Sequence, residues 1–179
     1  MEVHCGRVLL GDDSCGPLSL VVWDPMTGCR RELDPPDHLG RSYGAAVLCP
    51  VAGCDHRACH AGPFQVVFIG LDTNDDDGDC VAHAYVSSPM PAEWSDLGSD
   101  SLFDGWSKPC SGLHLITADP FIDSLPPVHV ENALHFMLTH DEDDSVEILK
   151  YDLSSNCLSL IDAPLSGAII SGSTILLSM

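Results

Sequence analysis

Basic side chains are scarce in this 179-residue chain: seven Lys and Arg stand against 27 Asp and Glu, a formal net charge of -20. A nucleic-acid binder gains affinity by neutralising phosphates with Lys and Arg, and seven scattered cations form no stripe. The same shortage excludes an anionic membrane surface as partner. Long apolar runs are also missing. None approaches the roughly 18 residues that cross a bilayer. The segment Met1 to Leu10 has no apolar stretch of the secretory type, so the expected location is cytoplasmic or nuclear. Helical windows are the third shortage. Thirteen Pro and 15 Gly interrupt the chain every few residues, and Pro within a helix removes a hydrogen bond and clashes with the preceding turn.

Apolar residues are plentiful at 45%, so the acid surplus does not imply disorder. Nine cysteines are an odd number. Without a secretory signal they read as reduced thiols that pack as small apolar residues, among them Cys5, Cys15, Cys29, Cys80, Cys110 and Cys157.

The chain offers short β-rich runs bounded by turn residues. They are 6–10, 20–23, 45–49, 65–71, 80–86, 113–117, 128–130, 133–138, 146–151, 157–161, 168–170 and 174–178. Even the Pro-free stretch Val128 to Lys150 alternates rather than showing a 3.6-residue period. The expected class is all-β and antiparallel. One pattern recurs. Leu20-Val21-Val22-Trp23-Asp24-Pro25 leads through Met26-Thr27-Gly28 into Cys29 to Leu33 and then Pro35. Ile148-Leu149-Lys150-Tyr151-Asp152 leads through Leu153 to Asn156 into Cys157 to Ile161 and then Pro164. Each is a hairpin in which the Asp carboxylate caps the turn and the aromatic packs inward. A weaker third copy runs from Ala82 to Ser88 and on to Glu93-Trp94-Ser95-Asp96-Leu97.

Repeated hairpins point to a β-propeller or β-repeat array, with a plain β-sandwich as the alternative. A blade takes four strands, so a dozen strands make about three blades and an incomplete ring over residues 1–179. The apolar final run Thr174 to Met179 reads as an unpaired edge, which suggests a fragment or a piece that needs another chain.

The order of several short motifs resembles a known family. They are Leu20 to Gly28, Ala45-Ala46-Val47-Leu48-Cys49, Gly53-Cys54-Asp55-His56-Arg57-Ala58-Cys59-His60 with Gly62 to Phe68, Ala133-Leu134-His135-Phe136, and Ile148 to Leu153. Together they resemble the C-terminal β-propeller region of plant F-box proteins, especially the large cereal set, over most of the span from Gly6 to Pro164. The resemblance implies the substrate-recognition region of an SCF-type ubiquitin ligase receptor. In that family an N-terminal F-box binds the Skp1 adaptor and the propeller presents a face to the substrate. No helical segment precedes Gly6, so Skp1 and cullin are expected as partners only if an F-box is supplied.

Three clusters invite chemistry. Cys49, Cys54, His56, Cys59 and His60 place five soft ligands within one short loop, suited to tetrahedral zinc. Structural zinc sites usually draw on two separated pairs, and no second pair follows. A loop with buried thiols is the alternative, and no other cofactor is expected. The acidic runs around Asp75, Asp76 and Asp77, and over Asp141, Glu142, Asp143 and Asp144, resemble calcium loops only superficially. In the first, Gly78 is out of place and no Glu stands twelfth; the second has no glycine. They read as solvated hairpin tips. Residues 58–149 hold 17 acids and only Lys108, so the surplus forms a local negative surface suited to a basic protein partner. Trp94 and Trp106 are candidate contacts to that partner because aromatics dominate interface hot spots. Trp23 is expected instead to pack between blades.

Catalysis is not expected. There is no Gly-x-Ser-x-Gly elbow and no Gly-rich phosphate loop before a helix. His129-Val130-Glu131 lacks the Pro-Cys-x-x-Cys that completes a deaminase site. The expected function is a non-enzymatic protein-interaction module. The alternatives are a metal-dependent hydrolase on a β scaffold and a truncated, non-functional relic.

Overall fold

The structure is a computed structural model that describes residues 3–4, 6–12, 18–37, 40, 42–51, 62–73, 80–90, 105–116, 120–140 and 145–162. Among them are fourteen strands and no helix. Every strand pairing is antiparallel, and the strands form three sheets, none of them closed.

The first sheet is β1 (Val3–His4), β2 (Arg7–Asp12), β3 (Ser19–Trp23) and β4 (Arg30–Leu33), side by side in chain order. The second is β5 (Ser42–Leu48), β6 (Gln65–Thr73), β7 (Cys80–Ser87) and β8 (Trp106–Ser107), again in chain order. Here β9 (Leu113–Leu115) pairs with the other end of β7. The third runs β10 (Pro120–Ile122), β12 (Ala133–His140), β13 (Val146–Asp152) and β14 (Cys157–Asp162), with β11 (Val128–Val130) also on β12.

Strand composition explains the stacking of these sheets. β6 reads Gln-Val-Val-Phe-Ile-Gly-Leu-Asp-Thr, apolar on both faces, as a strand covered on both sides must be. Side chains alternate across a strand. Val66 and Phe68 therefore join Leu9, Leu20, Val22 and Leu33 of the first sheet in one buried cluster. Val67, Ile69 and Leu71 point the other way and join Leu134, Phe136, Leu149 and Tyr151 of the third sheet in another. The second sheet is thus the filling between the other two.

Polar contacts fix the seams. Ser42 Oγ accepts the Ile122 N–H at 2.7 Å and donates to the Ile122 carbonyl at 3.3 Å, joining β5 to β10. Arg7 is fully buried, donates to the Gly62 carbonyl at 2.9 Å and lies 4.8 Å above the Phe64 ring, joining the first sheet to the second. The second and third sheets approach closely at Gly44. A Cβ there would stand 2.7 Å from the Phe136 ring.

The all-β antiparallel class expected from the sequence is what the chain adopts. Val128–Val130 falls where expected, the longer strands reach one to three residues past the expected runs at one end, β2 starts and β5 stops one residue short at the other, and β9 stops at Leu115 within the expected 113–117. The short strands β1, β8 and β10 were not expected. They are two or three residues long and gain their pairing from longer neighbours rather than from their own composition. The expected strands 168–170 and 174–178 lie outside the described residues.

Candidate functional site

The two hairpins of the repeat share one turn chemistry. Asp24 Oδ1 accepts the backbone N–H groups of Met26 at 2.9 Å and Thr27 at 3.3 Å. Asp152 Oδ1 accepts those of Ser154 at 3.0 Å and Ser155 at 2.9 Å, and the Ser155 hydroxyl as well. Each turn then closes through a left-handed residue, Gly28 at φ 75° and Asn156 at φ 54°. Gly and Asn are the residues that tolerate that conformation. The carboxylate caps were legible in the sequence.

The aromatic that precedes each Asp behaves differently in the two copies. Tyr151 is fully buried against the second sheet, and its hydroxyl donates to Asn156 Oδ1 at 2.9 Å. Trp23 does not pack inward as expected: it is 40% exposed. Its neighbour Val22 takes the inner face, so alternation sends Trp23 to the outer one. Position by position, Val21 corresponds to Leu149 and Trp23 to Tyr151. Through the strand register, Val8 corresponds to Leu134 and Leu10 to Phe136. All four third-sheet members of these pairs lie in the core between the second and third sheets. On the first sheet, Val8 is buried and Val21 half-buried, but Leu10 and Trp23 face outward and are exposed. With Gly11, Ser19, Val21 and Arg30 they line an open groove of about 480 Å³.

The correspondence also runs the other way. Leu20 and Leu33 face the second sheet and are buried. Their counterparts Ile148 and Ile161 lie on the third sheet's outer face, where Ile161 is 40% exposed and Phe121 and Val130 are exposed beside them. Both outer faces are largely apolar among the described side chains. The first carries Arg30 and Glu32, which oppose Trp23 and Val21 across the strand pair. The third carries Lys150 and Asp152, 3.6 Å apart.

Electrostatics at the seam between the second and third sheets follow from burial. The Tyr151 hydroxyl is pushed up to about 12 by desolvation, with the thiols of Cys110 and Cys157 adding to the shift. Burial also raises the Cys110 thiol. A backbone hydrogen bond from Leu158 opposes that rise, Cys157 adds to it and Lys108 opposes it. The Asp152 carboxyl is held below its ordinary value, first by the Ser155 backbone N–H, then by the Ser155 hydroxyl. His140 is buried with its Nε2 3.1 Å from Glu147 Oε2.

Of the expected site residues, Cys49 is a half-buried free thiol just after β5. Cys54, His56, Cys59 and His60 lie outside the described residues, as do Trp94, Asp75 to Asp77 and Asp141 to Asp144. Among the described residues, no group of three or more His, Cys, Asp or Glu is placed to hold a metal ion. Trp106 is half-buried on β8. Its indole N–H donates to the Asp34 carbonyl at 2.8 Å and its ring meets Phe68 edge-on at 6.1 Å, so it helps join the first and second sheets. His129 sits on β11, and Glu131 forms the turn into β12.

Sequence reasoning missed the groove at Leu10, Val21 and Trp23. The signal was present in the alignment of Trp23 with Tyr151. Its meaning depended on which neighbour each sheet has.

No family model, no curated protein and no solved structure matches the chain. Among the described residues no helix is long and apolar enough to cross a membrane.

Proposed function

We propose that the chain is a non-catalytic protein-interaction module built as part of a β-propeller, about three blades of an unclosed ring. One observation carries this reading. Three antiparallel meanders follow one another along the chain, and equivalent residues of the first and third face the same way along the stack. A sandwich of two sheets has no such direction. A propeller does, because each blade presents one face to its predecessor and the other to its successor.

The module acts as the substrate-recognition region of an F-box receptor. The order of motifs from Leu20 to Leu153 supports this role, and it accords with a cytoplasmic or nuclear location. The partner is a basic protein surface. The acid-rich stretches around Asp75 to Asp77 and Asp141 to Asp144 each follow or precede a long strand of a different sheet, at the β6–β7 and β12–β13 connections. Such acid-rich stretches raise the encounter rate with a positively charged partner and lose that advantage as salt rises.

The test is a capture experiment with two proteins, the chain alone and the chain fused behind an F-box. The fusion is expected to retain Skp1, cullin and a basic client, and the chain alone only the client. A client that binds equally well in low and high salt contradicts the basic-partner reading. Failure of the fusion to retain any client contradicts the receptor role.

A further inference from the structure

The two outer faces of the stack are complementary halves of a junction that the molecule already makes internally. The first sheet's outer residues Leu10, Val21 and Trp23 are counterparts of Phe136, Leu149 and Tyr151, which receive the preceding sheet. The third sheet's outer residues Ile148 and Ile161 are counterparts of Leu20 and Leu33, which meet the following sheet. We infer that a second copy of this chain docks head to tail, the third sheet of each on the first sheet of the other, and that two copies close a six-sheet ring. The inference rests on the propeller reading of the sheets but not on the receptor role.

Three considerations select a second copy as the occupant. The contact is heterologous, third sheet on first, and a two-fold axis along the ring centre repeats it once and closes it. Six sheets, each with a four-stranded path, fall within the range of known propellers, roughly four to eight. Area is sufficient too. The first sheet sets the limit: its strands of two, six, five and four residues, about 4.8 Å apart, present roughly 270 Å². Two junctions bury four such faces, roughly 1,100 Å², enough for a specific interface of modest size.

Charge does not oppose the contact locally. The net charge of -20 repels copies at long range, but the described side chains on each face include one cation beside one anion, Arg30 with Glu32 and Lys150 with Asp152, and Asp12 stands at the end of the first sheet's register opposite Ser19. Association therefore tightens as salt screens the long-range repulsion.

The test is analytical ultracentrifugation of the intact chain over a range of concentration and salt. A species of twice the 19.1 kDa chain mass is expected, and it becomes more populated at higher salt. Trp23→Glu and Ile161→Glu each bury a charge at both junctions and weaken the dimer by about 100-fold. An equimolar mixture of the two variants recovers dimer, because one of its two junctions is unaltered on both sides. Leu10→Glu replaces Trp23→Glu if the latter fails to melt cooperatively. A monomer at every concentration overturns the inference, as it does if residues 163–179 cover a face instead. Sensitivity to one variant only, or a mixture without recovery, overturns the head-to-tail arrangement. Species that keep growing with concentration overturn closure. None of these failures touches client capture, so the receptor proposal stands or falls separately.

Discussion

Trp23 and Tyr151 hold the same position in two copies of one hairpin, yet Tyr151 is fully buried and Trp23 is 40% exposed. The difference arises from their neighbours. Tyr151 faces a sheet and Trp23 faces none among the described residues. The pair gives the stack a direction, and the energetic consequences of that direction can be measured.

Tyr151→Phe removes the hydroxyl that donates to Asn156 and leaves the ring in place. A loss of about 1 kcal/mol is expected in denaturant unfolding, the usual net worth of one such hydrogen bond. Phe136→Ala, on the same face, is expected to cost about 3–5 kcal/mol because it empties the core between the second and third sheets.

Gly44 lies where a methyl group has no room. Gly44→Ala places a Cβ 2.7 Å from the Phe136 ring and 3.1 Å from Ile122. Destabilisation of about 1–3 kcal/mol is expected from overpacking, read from the shift in melting midpoint.

Turn chemistry yields opposite signs at two sites. Asp24→Ala strips the acceptor from the Met26 and Thr27 N–H groups, and a loss of about 1–2 kcal/mol is expected. Glu131 has φ 55°, a left-handed conformation that a side chain disfavours. Glu131→Gly relieves it, and a gain of about 0.5–1 kcal/mol is expected in the same unfolding assay.

The pH dependence of Tyr151 has a definite sign. Its ordinary value of 10.0 is raised to about 12 in the folded chain, so the folded state holds the phenolic proton more tightly. Stability is unaffected by this group below pH 10 and falls as pH rises towards and through 12. Ultraviolet titration of phenolate absorbance is expected to lose its last-ionising tyrosine in Tyr151→Phe, while Tyr85, raised by burial and by Asp72, still ionises late.

The strand-rich class, the long strands and the two capped hairpins were legible because each is a local matter: alternation, β-branched residues, and an Asp followed by Gly or Asn. The doubly apolar β6 was visible as a run, but its two faces gained meaning only from the sheets on either side. The exposure of Trp23 was not legible for the same reason. Its side chain resembles Tyr151 in every local respect, and only the absence of a covering sheet among the described residues sets it apart. Short strands such as β8 escaped notice because Trp106 and Ser107 owe their pairing to Val86 and Ser87 rather than to any pattern of their own.

The central claim is that the second sheet lies between the first and third, covered on both faces. Hydrogen exchange of the intact chain, followed strand by strand, tests it most directly. Amides of β6 between Val66 and Leu71 are expected to exchange slowest of all, with rates set by global unfolding. Exchange of β6 as fast as that of β4 or β14, the last strands of the outer sheets, would contradict the account.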